Sequence, residues 1–324
     1  MGSLFGRIAG RITATCSKFR NDCRFSFKLA VYRICDELCG RIGLKRISKW
    51  GHKKLAQWIL KYLAEVIEPA ICNARQNPRA GEYSPNAPIW ICWWTGEHTA
   101  PPLVKQCIAS IRSQAGEHPV HIITKDNFGD YLEIPAFILD KVENKQMCIA
   151  NFSDYLRFSL LAKYGGIWLD ATIYCTQPLG DTYFRVPVFT CKSPEQPTDY
   201  ISRYRWTAFC FGGYQGNALF QFMHEAFTLY WKVNQTSIDY LLVDYLIETA
   251  YSHIPEIRAW LDAVPYNNLS RDDLQAAMNA ALPAEAWQEI LQPDTQLYKL
   301  SWRETYQECT PDGKKTVYGY LLGL

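Results

Sequence analysis

The chain has 324 residues and a net charge of +2, with 48% hydrophobic, 14% aromatic and 20% charged residues. That length suffices for a substantial core, and that composition excludes a disordered chain. No run reaches the roughly 18–20 apolar residues of a spanning helix, so any membrane contact is expected to be peripheral. The 12 cysteines are scattered, with no secretory signal ahead of them and no zinc spacing among them, which predicts reduced thiols in the cytoplasm. Cys35 and Cys39 sit on a helical pattern and read as buried structural residues rather than as metal or redox groups.

Charge is uneven along the chain. Residues 1–80 hold 16 Lys+Arg against 5 Asp+Glu, or +11, which leaves −9 for the rest. Residues 2–63 lack proline and place Leu4, Phe5, Ile8 and Ile12 at helical spacing, which predicts two or three basic amphipathic helices. Two readings of them stay open. They form either a face for an anionic membrane surface, on the inner side of the membrane, or a solvated extension packed on a catalytic domain. No nucleic-acid partner is expected, because no recognised module accompanies the basic residues.

Pro, Gly, Asn and Ser cluster at residues 76–88, QNPRAGEYSPNAP, and divide a helical extension (1–82) from a catalytic domain (83–324). A first strand is predicted over 89–95, ending in Trp93 and Trp94. A helix over 101–113 and a strand over 120–124 follow, the alternation of a largely parallel sheet. Neither a dinucleotide fingerprint nor a P-loop is present, so a bound diphosphate has to be held some other way.

The most informative stretch is SDYLRFSLLAKYGGIWLDATIY, residues 153–174. Phe152, Leu156, Leu160 and Leu161 mark a helix that stops at Gly165 and Gly166. Asp154 and Arg157, three residues apart, lie about 60° from each other on one helix face. The next residues read as a buried strand interrupted by Asp170. A carboxylate there costs several kcal/mol unless it meets a base, a metal or a ligand hydroxyl, and ligands of open α/β sheets gather at the carboxyl ends of strands.

The pattern S-D-x-x-R, a leucine-containing helix, Y-G-G and W-L-D-A-T resembles the capsular polysaccharide synthesis glycosyltransferases, relatives of glycosyltransferase family 32 and of the large glucosylating toxins. PIWICWWTGEHTAPPLVKQCIASI, LYWKVNQTSIDYLLVDYL and LYKLSW occur in the family's order, so the resemblance covers roughly residues 86–303. It implies a GT-A fold: an α/β architecture with a mostly parallel nucleotide-sugar-binding sheet flanked by helices. The donor is then a nucleotide-diphosphate hexose, UDP-hexose favoured, and the acceptor a glycan or lipid-linked glycan, with retention of anomeric configuration. By the same resemblance, an aromatic at Trp93 or Trp94 flanks the base. Asp154 and Arg157 hold the donor sugar, Asp170 touches donor or metal, and Lys299 and Ser301 close over the diphosphate. Enzymes of this fold usually bind Mn²⁺ or Mg²⁺ through Asp-x-Asp. Here the motif reads Asp170, Ala171, Thr172. A hydroxyl is a poor substitute for the second acid, so either a divalent cation sits on Asp170 and Thr172 with help from elsewhere, or Arg157 and Lys299 supply the charge.

A helix is predicted over 236–251. Its Asp239 reads either as a helix N-terminal acid or as an acceptor-site or catalytic acid, while Asp244, between Val243 and Tyr245, reads as structural. Residues 209–222 hold Gly212, Gly213 and Gly216, suited to a turn or to close approach of a sugar. Residues 217–292 are expected to form a helical lobe. The sum predicts a hexosyltransferase of surface polysaccharide synthesis. An inactive nucleotide-sugar-binding or scaffold subunit and a basic membrane-surface adaptor are the alternatives.

Overall fold

The structure, a computed structural model, describes residues 18–281, 283 and 287–323; the periodicity at Leu4–Ile12 lies outside them. The central sheet has five strands in the order β2-β1-β3-β6-β5: β1 (Ile89–Cys92), β2 (Val120–Ile123), β3 (Gly166–Leu169), β5 (Val188–Thr190) and β6 (Cys210–Gly213). β1 is parallel to β2 and β3, while β6 is antiparallel to β3 and β5. Four of the five strands therefore run the same way. The pairing Ile89↔Ile167 and Trp90↔Trp168 sets β1 and β3 side by side, so the residues after Cys92 and Leu169 emerge at one edge of the sheet.

α6 (Ile149–Tyr164) delivers the chain to β3. It is buried nearly all round, including Phe152, Tyr155, Leu156, Phe158, Leu160 and Leu161, so it shows no clean polar face. Gly165 and Gly166 end it at φ +65° and +85°. A Cβ on Gly166 would lie 2.0 Å from the carbonyl oxygen of Pro88, so only glycine lets β3 approach there.

The run IWLDATIY is not one strand. β3 ends at Leu169, the Ile173 N–H donates to Asp170 O at 2.9 Å, and β4 (Ile173–Cys175) leaves the sheet to pair with β7 (Leu297–Lys299). Asp170 thus sits in a turn between two sheets. The helix after 236 also differs from expectation. α8 spans Leu242–His253, because Asp239 Oδ1 accepts the Leu241 N–H and Tyr230 Oη accepts the Ile238 N–H, holding the preceding residues as a loop. Beyond it come α9 (Pro255–Ala263), α10 (Asp273–Ala277) and a 3-10 turn (Trp287–Ile290) with irregular connections, less helix than the lobe expected.

On the amino side, α1 (Phe27–Arg41), α2 (Lys45–Val66) and α3 (Glu68–Gln76) precede the sheet; α4 (Pro102–Gln114), α5 (Ala136–Glu143) and α7 (Ala218–Val233) flank it. Gly51 lets α1 and α2 cross closely: a Cβ there would lie 2.7 Å from Cys35 Cβ. Leu55, Ile59 and Leu63 of α2 belong to the same core as Phe152, Leu156, Phe227 and Leu246, so the proline-rich segment at 76–88 separates no two cores. The described cysteines are free thiols. Among the described residues no helix is long and apolar enough to cross a membrane.

Candidate functional site

Two pieces of chain far apart in sequence, 154–172 and β7, meet at the carboxyl edge of β1 and β3. From α6, Arg157 Nη1 donates to Asp154 Oδ1 at 2.5 Å, and Nη2 donates to Asp170 Oδ1 at 3.1 Å. Trp168 of β3, two residues before Asp170, donates Nε1 to that oxygen at 3.0 Å and lies under the guanidinium, with its ring centroid 5.0 Å from it. From β7, Lys299 Nζ donates to Asp170 Oδ2 and to Thr172 Oγ1, each at 2.8 Å. The β4–β7 register places Lys299 opposite Ile173, and the Leu300 N–H donates to Thr172 O at 2.9 Å, so backbone pairing delivers the ammonium to the turn.

The electrostatics follow from burial and neighbours. Burial pushes the Asp154 carboxyl up to about 6, against the pull of Arg157. Burial also works upward on Asp170, but Lys299 and then Arg157 outweigh it and hold that carboxyl below its ordinary range. Burial works to lower Arg157, and Asp154 and Asp170 reverse it, keeping the guanidinium charged. Among the described residues, Arg157 Nε and Trp93 Nε1 are buried and meet no acceptor. Each such donor costs about 1–3 kcal/mol unless a ligand or water oxygen meets it.

These groups line a cleft of about 740 Å³ whose rim carries Tyr200, Tyr204, Tyr240, Trp302 and Arg303. Trp93 lines it, with its ring 5.7 Å from and edge-on to that of Trp302. Trp94 does not: it packs on Phe128 and Phe152, at 5.6 and 5.3 Å between ring centroids, in the core. Ser301 lines the cleft, its N–H donating to Gln275 Oε1 at 2.8 Å.

The acid expected at 239 is elsewhere. Asp239 Oδ2 accepts from Arg33 Nη1 at 2.8 Å and is not among the cleft residues, so the catalytic reading of Asp239 gives way to a structural one. Asp244, read as structural, lines the cleft instead. Burial pushes it up to about 6, against the hydrogen bond that Trp206 Nε1 donates to Oδ1 at 2.9 Å. Its sequence signal was present: an acid interrupting an apolar run, the same feature that singled out Asp170.

A second cavity of about 320 Å³ lies between β5 and α9, lined by Val186, Phe189, Trp260, Val264 and Pro265 among others. It is mostly apolar and, among the described residues, Asp294 is the one charged residue in its lining, so the larger cleft is the candidate site. For a divalent cation the larger cleft is a poor fit. One carboxylate, one hydroxyl and an ammonium already 2.8 Å from both are the groups at the motif. Among the described residues no three His, Cys, Asp or Glu side chains form a cluster that could hold a metal.

No curated protein matches the sequence. A family model described as capsular polysaccharide synthesis protein matches residues 41–321, which takes in α2, α3, the sheet and every residue of the charged network at the strand edge. On that match, the chain belongs to the capsular polysaccharide synthesis protein family.

Proposed function

We propose that the chain is a GT-A-like hexosyltransferase of capsular or other surface polysaccharide synthesis, moving a hexose from a nucleotide-diphosphate donor, UDP-hexose favoured, to a glycan or lipid-linked glycan. The observation that carries this reading is the linked row Asp154, Arg157, Asp170 and Lys299 on the floor of a cleft with an aromatic rim. Carboxylates there suit sugar hydroxyls, cations suit a diphosphate, and Trp93, Trp302 and the tyrosines suit a base and sugar faces.

In the reaction the anomeric C–O bond to the diphosphate breaks and its electron pair goes to the phosphate oxygen. The acceptor hydroxyl oxygen bonds to the same carbon, from the same face, and its proton goes to the departing diphosphate. Charge grows on the leaving oxygen and on the ring. Lys299 and Arg157 meet the first, and Asp154 and Asp170 hold the sugar whose ring becomes cationic. Asp244, which burial raises to about 6, lines the same cleft, and this supports its bonding to a donor or acceptor hydroxyl.

The test is a thermal-shift screen of nucleotide sugars, followed by donor hydrolysis and assignment of the product's anomer by NMR. Stabilisation by one donor plus its slow hydrolysis is the expected result. Stabilisation without turnover toward any acceptor makes the chain a binding subunit. No response to any nucleotide sugar ends the transferase reading.

The same reading puts the protein on an anionic membrane surface. Phe27, Leu38, Ile42, Leu44, Ile47 and Trp50 are exposed on α1, α2 and their connection, interleaved with exposed Lys28, Arg41, Lys45, Arg46 and Lys49. Apolar groups flanked by basic ones suit the boundary of acyl chains and acidic headgroups, where a lipid-linked acceptor resides.

A further inference from the structure

We propose that Lys299 is a built-in replacement for the divalent cation of an Asp-x-Asp site, so that this chain holds its nucleoside diphosphate without a metal. The inference rests on the transferase reading and adds how the diphosphate charge is met.

Its ground is the placement of one ammonium. A cation bridging the two motif side chains would touch Asp170 and Thr172; Lys299 Nζ lies 2.8 Å from Asp170 Oδ2 and 2.8 Å from Thr172 Oγ1. An ammonium has three N–H donors, and these bonds use two, which leaves one for a phosphate oxygen. The exchange of acid for hydroxyl at Thr172 then has a reason. A carboxylate pair would carry two negative charges for a dication, whereas one carboxylate and one hydroxyl match a monocation.

The lysine is also fixed as a metal would be. Its N–H donates to Arg271 O at 2.8 Å, its strand pairs with β4, and its ammonium lies 5.1 Å from the centroid of the Phe209 ring. A metal bound to Asp170 would have to approach within about 2.0–2.6 Å of the oxygen that Lys299 already holds, and would face that ammonium's repulsion. Lys299 remains reachable, with its side chain 27% exposed on the cleft wall.

The experiment is calorimetric titration of UDP and GDP into the full chain, in EDTA and again in Mn²⁺, with wild type, Lys299→Met and Lys299→Arg. Wild type should bind one of the nucleotides with the same affinity in both buffers. Lys299→Met should weaken it by about tenfold or more in EDTA, as loss of a charge-assisted hydrogen bond implies, and Lys299→Arg should recover part of that loss. Binding by wild type that vanishes in EDTA and returns with Mn²⁺ overturns the proposal and leaves the transferase reading intact. Unchanged affinity of Lys299→Met in EDTA overturns it as well. If wild type binds neither nucleotide in either buffer, the transferase reading fails and the proposal falls with it.

Discussion

Two buried arginines in this molecule are each held between two aspartates, and they do different work. Arg33 on α1 donates Nε to Asp22 at 2.8 Å, Nη1 to Asp239 at 2.8 Å and Nη2 to Ile238 O at 2.7 Å. Every nitrogen has an acceptor, and the triad fastens α1 to the loop before α8. Arg157 donates to Asp154 and Asp170 but leaves Nε unmet, shares Asp170 with Lys299 and borders a large cleft. A saturated triad is a fastening. One with a spare donor beside a cavity fits the ligand site proposed above.

The largest break in this comparison is expected at the closed triad. Arg33→Met leaves Asp22 and Asp239 facing each other without their cation, a loss of about 3–5 kcal/mol for a buried pair cut on one side. Urea denaturation should read that loss, while turnover per folded molecule stays near wild type. A variant as stable as wild type would show that the fastening carries no net energy.

Next is the open triad. Asp170→Asn keeps the volume and removes the charge that Arg157 and Lys299 share, so transfer or donor hydrolysis should fall by about 10²–10³-fold, the scale for one electrostatic group at a reacting centre. Circular dichroism should stay unchanged. Wild-type turnover in Asp170→Asn would make the cleft triad as structural as the closed one.

A smaller effect separates the acids within the cleft. Asp244 is raised from its ordinary 3.8 to about 6, so the folded chain holds this proton longer than the unfolded one, and stability falls as pH rises from about 4 through 6. Asp170, held below its ordinary range, does the reverse: its contribution is present near neutral pH and is lost as pH falls through its folded value. Asp244→Asn keeps an acceptor for Trp206 Nε1 and cannot ionise. Its Tm should match wild type near pH 4 and exceed it at pH 8, where the stability gain is about 3 kcal/mol, given 1.36 kcal/mol per pKa unit. Donor hydrolysis should fall at the same time. A Tm difference that does not grow with pH would mean that Asp244 ionises freely.

What the sequence made legible was local. Asp154, Arg157 and Asp170 lie within 17 residues, and helix periodicity plus the Gly-Gly stop were enough to aim them at one point. Lys299 was named from its motif, but its contact with Thr172 spans 127 residues and depends on the β4–β7 register. The surroundings of Asp239, just before α8, were hidden for a similar reason. Asp239 is paired with Arg33, 206 residues away, while its own bond to the Leu241 N–H holds the chain as a loop, so that the helix starts at Leu242 with Asp244 in the first turn lining the cleft. Trp93 and Trp94 were equivalent as letters. β1 stops at Cys92 and Trp94 opens a turn, so the two rings part company where the strand ends, and only the surrounding elements decide which of them meets the core.

The last and smallest effect tests the helices that Arg33 fastens. Their exposed Ile42 and Trp50 are 67% and 48% accessible, and exposed Lys45, Arg46 and Lys49 lie between them in sequence. Water is a poor neighbour for such side chains, whereas the headgroup boundary of an anionic bilayer takes the rings and methyl groups and attracts the charges, each basic residue contributing on the order of 1 kcal/mol near the surface. Full-length protein should therefore sediment with phosphatidylserine vesicles at low salt and release as salt shortens the Debye length to about 8 Å. Trp50→Ser should weaken that binding by about tenfold, the loss expected for one large apolar side chain, with donor hydrolysis in solution unchanged. Retention of wild-type vesicle binding by Trp50→Ser, or no binding by the wild type at low salt, would make these helices a packed part of the catalytic core and nothing more.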